Sequence, residues 1–248
     1  MAEKKKKVTT TVTTTVTEEI IGNSINEKTQ IICILDRSGS MSSIMSDSIG
    51  GFNTFLKQQK ELPDDAALTV ALFDDKYELL YDNIDIKKVK ELTKKEWFPR
   101  GTTALYDAIG KTINTVRTNR EHLGDEKPTK VLVCIVTDGL ENASKEYRIS
   151  EIKELIKNCE KDDWNFIYLA ANQDAFDIGS SFGISGSNTY TYTASAAGVY
   201  NMSNTLNASA STYRSMSMFD ADFDKKSKSL INDYSGSAIP TILTKDTK

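Results

Sequence analysis

QIICILDRSGSM, residues 30–41, changes character at Asp36. Before it runs an unbroken apolar stretch, as expected of a parallel strand covered on both faces; a half-exposed strand would alternate. After it come small hydroxyl residues around Gly39. A carboxylate and two alternate hydroxyls, Asp36, Ser38 and Ser40, therefore stand where a buried strand ends. Oxygen-rich sequence at such a place means a turn, a helix cap or a hard metal ion. KVLVCIVTDG, residues 130–139, repeats the design: an apolar run, then Asp138 and Gly139.

The segments around these two runs supply the rest of an alternating pattern. Ile44, Met45, Ile49, Phe52, Phe55 and Leu56 recur at helical spacing and predict a helix over roughly residues 43–60. ALTVALF (67–73) reads as a strand, DDK as a tight turn and YELLYDN (77–83) as the antiparallel partner. Leu105, Ile109, Ile113 and Val116 mark a second helix starting near Thr103. Ile149, Ile152, Leu155 and Ile156 mark a third within 144–159, and WNFIYLAAN (164–172) is a further strand. Past about residue 185 the composition turns to Ser, Thr, Asn and Ala, and Val199, Met202, Leu206, Tyr213 and Met216 predict a last helix. Strands alternating with helices, plus one hairpin, predict an α/β protein with a doubly wound, Rossmann-like open sheet, mostly parallel with one antiparallel edge strand. Residues 1–28, Lys/Thr-rich, are expected to form a tail or an added strand. The main domain is expected over 29–219, with its motifs in 29–183 and a C-terminal strand and helix in 184–219. Residues 220–248 read as a loosely ordered tail.

A chain of 248 residues has room for one sizeable α/β domain plus tails. The net charge of -4 gives no electrostatic footprint for nucleic acid. KKKK at residues 4–7 is the one basic block, and alone it reads as a solvated terminus. No secretory signal is visible, because that basic start leads into VTTTVTTTVTEE and not into an apolar core. The apolar runs fall far short of the ~20 residues that span a bilayer, so no membrane span is expected. Cys33, Cys134 and Cys159 form no spaced framework, and two of them lie inside apolar runs. Buried thiols in a reducing compartment follow, and with them a cytoplasmic location.

Open α/β sheets bind ligands beyond the carboxyl ends of their strands. That rule brings DRSGSM, GTTALYD (101–107) and TDGLEN (137–142) onto one rim. The side chains offered there carry oxygen alone: Asp36, Ser38, Ser40, Thr102 or Thr103, and Asp138. The one histidine, His122, falls elsewhere. Oxygen ligands with few carboxylates suit a hard divalent cation, Mg²⁺ or Mn²⁺. Taken singly, Ser40 or Ser42 reads as a helix cap and Asp138 as a turn residue. Three converging segments are harder to explain that way.

The D-x-S-x-S of residues 36–40, the threonine of GTTALYDAI (101–109) and the aspartate of IVTDG (135–139) resemble the von Willebrand factor type A (VWA) domain. Its metal-ion-dependent adhesion site, or MIDAS, has that order of residues. Family spacing sets the threonine two positions after Gly101, which prefers Thr103. The resemblance spans about residues 29–183, and its wording is most similar to the free-standing VWA proteins of bacteria and phages. It implies that Asp36, Ser38, Ser40, Thr103 and Asp138 hold Mg²⁺ or Mn²⁺. Ser38, Ser40 and at times Thr103 would bind directly, and the two aspartates directly or through water. The sixth position is left to an Asp or Glu of a protein partner. The implied function is a divalent-metal-dependent protein-binding module, cytoplasmic, or virion-associated in a phage. Arg37, Asn172, Gln173 and Asp174 are expected on the partner-facing rim, against the plainer readings of a solvated Arg37 and a helix-capping Asn172. Two neighbouring readings keep the same site: a regulatory subunit of a ring ATPase or stress-response complex, and a phage virion or host-interaction component. A phosphoryl-transfer enzyme is disfavoured. Such chemistry wants a second carboxylate two residues after the first, where this chain has Ser38, and AIGKT (108–112) lacks the opening glycine of a phosphate loop.

Overall fold

The computed structural model describes residues 27–124 and 127–231. Nearly all of the expected N-terminal segment, and the chain beyond Ile231, lie outside the described residues. Four strands, β1 (Thr29–Asp36), β2 (Ala66–Phe73), β4 (Lys130–Thr137) and β5 (Trp164–Ala171), are buried along their whole length. That is the unbroken apolar pattern of the sequence made physical: each of these strands has a covered surface above and below. β3 (Tyr77–Asp85) runs antiparallel to β2 and closes one edge of the sheet. β6 (Thr189–Tyr192) pairs parallel with β5 at the other. The strand order is β3-β2-β1-β4-β5-β6, with every pair parallel except β2 with β3.

Alternate residues of β1 feed two separate cores. Ile31, Cys33 and Leu35 point into one, with α1 (Met45–Lys60) and α5 (Ala196–Ser215) packed over it. Ile32 and Ile34 point into the other, under α2 (Leu105–Glu121), α3 (Ile149–Glu160) and α4 (Ala175–Phe182). A short α6 (Phe223–Ser227) follows. Because the chain passes from β1 to β2 on one side and later enters β4 on the other, the connections diverge between β1 and β4. A crevice opens at their carboxyl ends, and the two sequence aspartates stand there.

Two expectations need correcting, and the plainer reading of Ser40 and Ser42 fails as well. The third helix begins at Ile149, not near residue 144, because the Asp107 carboxylate takes the backbone N–H groups of Lys145, Glu146 and Tyr147 at 2.9 Å each and holds them as a loop. Neither Ser40 nor Ser42 caps α1: its N-cap position is Ile44, with no side-chain cap, and the Ser42 hydroxyl donates to the Gly39 carbonyl at 2.6 Å. Packing also continues past Phe219. Phe223, Leu230 and Ile231 are buried in the core under α1 and α5, and the Leu230 N–H donates to Asn188 Oδ1 at 2.8 Å.

Candidate metal centre

Asp36 is the last residue of β1 and is 0% exposed. Its Oδ2 accepts from Thr137 Oγ1 at 2.5 Å and its Oδ1 from the Ser38 N–H at 2.6 Å, which fixes the carboxylate plane. The Ser38 and Ser40 hydroxyl oxygens are 3.0 Å apart, and Ser40 Oγ donates to Asp138 Oδ1 at 2.6 Å. Thr103 completes the group. A Cβ built on Gly139 would stand 2.9 Å from Thr103 Oγ1, 3.2 Å from Ser40 Oγ and 3.7 Å from Ser38 Oγ. Three hydroxyl oxygens therefore surround one point that only a glycine leaves open. Of the two threonines the sequence offers, Thr103 is 3% exposed and faces this point, while Thr102 is exposed to solvent.

The loops carrying these side chains are stitched to one another. Gly39 N–H donates to the Gly101 carbonyl at 3.1 Å, and Arg100 N–H to the Arg37 carbonyl at 2.8 Å, so the first and second loops run as a short ladder. Trp97 Nε1 donates to the Asp36 carbonyl at 2.9 Å from beneath. On the far side Asn142 Oδ1 accepts from Thr103 N–H at 2.9 Å, and Asn142 N–H returns to the Thr103 carbonyl at 3.0 Å. The Glu141 carboxylate gathers the N–H groups of Tyr106, Ala143 and Ser144.

Burial lifts both carboxyls. Asp36 is raised to about 6, chiefly by desolvation; hydrogen bonds from Thr137 and Ser38 oppose the rise and the nearby charge of Asp138 adds to it. Asp138 is also raised by desolvation, with the Ser40 hydroxyl opposing. Without a cation, two neighbouring carboxylates lack the water that would normally carry their charge. A hard cation suits this donor chemistry: five oxygen-bearing side chains, two of them carboxylates. Among the described residues no cluster of three or more His, Cys, Asp and Glu exists that could hold a metal. A site built mainly from hydroxyls does not need one.

The four expected rim residues separate. Arg37 does not face a partner: its side chain is 1% exposed and is paired inward with Asp74 at 3.3 Å and Glu78 at 2.6 Å. A residue that follows a strand end by one place points away from the strand's final side chain, and here that direction is into the β2–β3 corner. Asn172 is exposed but does not cap a helix; it adopts φ 53° and its Oδ1 accepts from Ala194 N–H at 3.1 Å, bracing the entry to α5. The cap of α4 is Asp174, which accepts from Phe176 and Asp177 N–H at 3.0 and 3.1 Å. Gln173 touches the site loop, its Nε2 reaching the Gly139 carbonyl at 3.5 Å. Sequence reasoning missed Thr137, Trp97, Glu141, Asn142 and Asp74. Of these, Thr137 alone has a local signal, as the hydroxyl next to the strand-end aspartate. A cavity of about 570 Å³ lined by Arg117, Arg120, Lys127 and Trp164 lies at the opposite end, near the starts of β4 and β5, away from these oxygens.

No protein-family model matches the chain, and no curated protein matches it either. Solved structures do. Proximal thread matrix protein 1 of the mussel byssus aligns at 18% identity and TM-score 0.53, over 74% of this chain and 46% of that one. It has also been solved with a zinc-occupied MIDAS motif. The vWF domain of the type V pili tip protein Mfa5 from Porphyromonas gingivalis aligns at 9% identity and TM-score 0.52, over 74% and 96% of the two chains. Manganese-loaded TRAP protein of Plasmodium vivax aligns at 19% and TM-score 0.51, over 72% of each. This chain spans less than half the length of the mussel protein. At these identities the likeness speaks to fold, and the fold is VWA-like: a six-stranded, mostly parallel sheet with one antiparallel edge strand and helices on both faces. Among the described residues no helix is long and apolar enough to cross a membrane.

Proposed function

We propose that this chain is a VWA protein whose MIDAS-type centre, formed by Asp36, Ser38, Ser40, Thr103 and Asp138, binds Mg²⁺ or Mn²⁺ and through it an acidic side chain of a protein partner. The observation that carries the reading is the convergence of the Thr103, Ser40 and Ser38 hydroxyls on the space above Gly139, with Asp138 bonded to Ser40 and Asp36 bonded to the Ser38 backbone. The zinc and manganese forms of structurally similar proteins are consistent with it. A bound ion supplies an open coordination position for a carboxylate oxygen. The protein's own residues do the rest: Asp36 is oriented by Thr137 and Ser38, Ser40 is aimed by Asp138, and Thr103 is fixed by Asn142. With three neutral hydroxyls among five donors, a divalent charge is left less compensated than in an all-carboxylate cage and favours an incoming Asp or Glu. The site's hydroxyl–carboxylate pair, Ser40 with Asp138, has no histidine beside it to complete a relay, and binding is favoured over catalysis.

Gly139→Ala tests this directly. The backbone there is not in the left-handed region, so alanine is allowed, but its methyl would sit among the three hydroxyls. Calorimetric titration with Mn²⁺ and Mg²⁺ should show binding by the wild type. Gly139→Ala and the Ser38→Ala/Ser40→Ala pair should lose it while their circular dichroism stays native. Unchanged affinity in both variants would overturn the assignment.

A further inference from the structure

We infer that Asp74, acting through Arg37 and Arg100, is a positioning residue for Thr103 in the metal centre; the inference rests on the metal-binding reading above. Asp74 follows β2 directly, is 0% exposed and belongs to none of the three site segments. Its Oδ2 accepts a hydrogen bond from Arg100 Nε and lies 3.3 Å from Arg37 Nε as an ion pair without hydrogen-bond geometry, and its carbonyl accepts from Ala104 N–H at 2.9 Å. Arg37 lies between Asp36 and Ser38, Arg100 opens the second loop, and Ala104 adjoins Thr103. One buried residue thus grips both loops whose hydroxyls must meet.

A merely local role accounts for only part of this. Closing the DDK turn requires Oδ1, which accepts from Lys76 N–H at 2.6 Å. It does not require Oδ2 to hold two arginines from another part of the chain. Nor does the cluster act by its field. Arg37 and Arg100 are matched by Asp74 and by Glu78, which accepts from Arg37 Nη1 at 2.6 Å, so the group is close to neutral. Stability does not single out this arrangement. A buried ion pair gains little over apolar side chains of the same shape, although losing one partner of it is costly, and Arg37 Nε and Nη2 are buried with no hydrogen-bond partner among the described residues. What remains is orientation. Gly101, at φ 64°, passes so close that a Cβ on it would lie 2.0 Å from Asp75 Oδ1, which leaves the loop little freedom except through these contacts.

The test is Mn²⁺ affinity, by calorimetry and by electron paramagnetic resonance of free Mn²⁺, well below each variant's unfolding temperature. Asp74→Asn and Arg37→Met should each bind about tenfold more weakly, the range expected when an outer partner of a ligand is lost. Asp74→Asn leaves the buried Arg37 without that charge and should also melt lower in excess chelator. Arg37→Met leaves Asp74 paired with Arg100 and the half-exposed Glu78 to water, so its unfolding temperature in chelator should stay near that of the wild type. For Arg37→Met, a purely structural role would move the unfolding temperature and not the affinity. In a Thr103→Ala background, Asp74→Asn should change affinity by less than about threefold, because its effect passes through the missing hydroxyl. Wild-type affinity in both single variants, or the same tenfold loss with Thr103 absent, would overturn the inference. If Asp74→Asn does not fold, Arg37→Met decides alone. A wild type that binds no Mn²⁺ is a separate result: it removes the metal reading and this inference with it.

Discussion

At the scale of single residues, Asp36 concentrates the energetic conflict of the site. Its carboxyl is raised from 3.8 to about 6, mainly because the end of β1 keeps water away. A carboxyl raised on folding favours the folded state while protonated. Its contribution is fully present below about pH 3.8 and is lost as pH rises through about 6. The metal-free protein should therefore lose stability from this group between pH 4 and pH 6.5, and Asp36→Asn, which has no proton to lose, should flatten that part of the profile. A cation reverses the sign, because it needs the ionised form. Below pH 6 its apparent affinity should fall by up to about tenfold per pH unit for each proton displaced. Melting curves at pH 5 and 7.5, with Mg²⁺ and with chelator, check both halves. The metal-induced rise should be larger at pH 7.5, and an equal rise at both values would contradict the role given to Asp36.

At the scale of elements, what was readable in the sequence depended on whether the cause was local. β1 and β4 could be recognised because burial on both faces demands a continuous apolar run, and Asp36 and Asp138 could be placed because they end those runs. Thr103 came from spacing and resemblance, and its hydroxyl and that of Ser40 both stand beside Gly139. The start of α3 was not readable, because the reason it begins at Ile149 is a carboxylate about 40 positions away. Arg37 was misplaced for the same reason: nothing next to it in the chain announces Asp74. Asp107 is the sharpest case for a test. It holds three backbone N–H groups of the loop between β4 and α3. Hydrogen bonds to a charged acceptor contribute about 1.5–3 kcal/mol, so Asp107→Ala should cost at least one such bond. At roughly 2–4 °C per kcal/mol for a domain of this size, the melting temperature should fall by several degrees. Amide exchange at residues 145–147 should speed up, with β4 left protected. Unaltered exchange there would show that the loop is held by something else.

At the scale of the whole molecule, the sheet order fixes where a site can be, and the C-terminal segment decides whether the sheet stays covered. Composition marks residues beyond 219 as charged and loose, because DADFDKKSK dominates the view. The apolar side chains that matter are few and lie behind it. Phe223, Leu230 and Ile231 are 4%, 1% and 3% exposed, and they close the core beneath α5. They are anchored by the Ile231 N–H to the Ser187 carbonyl and by Asn188, which donates to the Ser227 carbonyl. Burying a large apolar side chain is worth about 1.5–3 kcal/mol, so the three together contribute roughly 4–9 kcal/mol, against about 5–15 kcal/mol for a whole domain. Ending the chain at residue 219 should therefore lower the melting temperature by more than about 10 °C or leave the protein unable to fold, although every residue of the proposed metal centre is retained. Phe219→Ala, at a side chain that is 71% exposed, should change almost nothing. A shortened chain that melts like the full one would mean that these three side chains fill space without holding the core together.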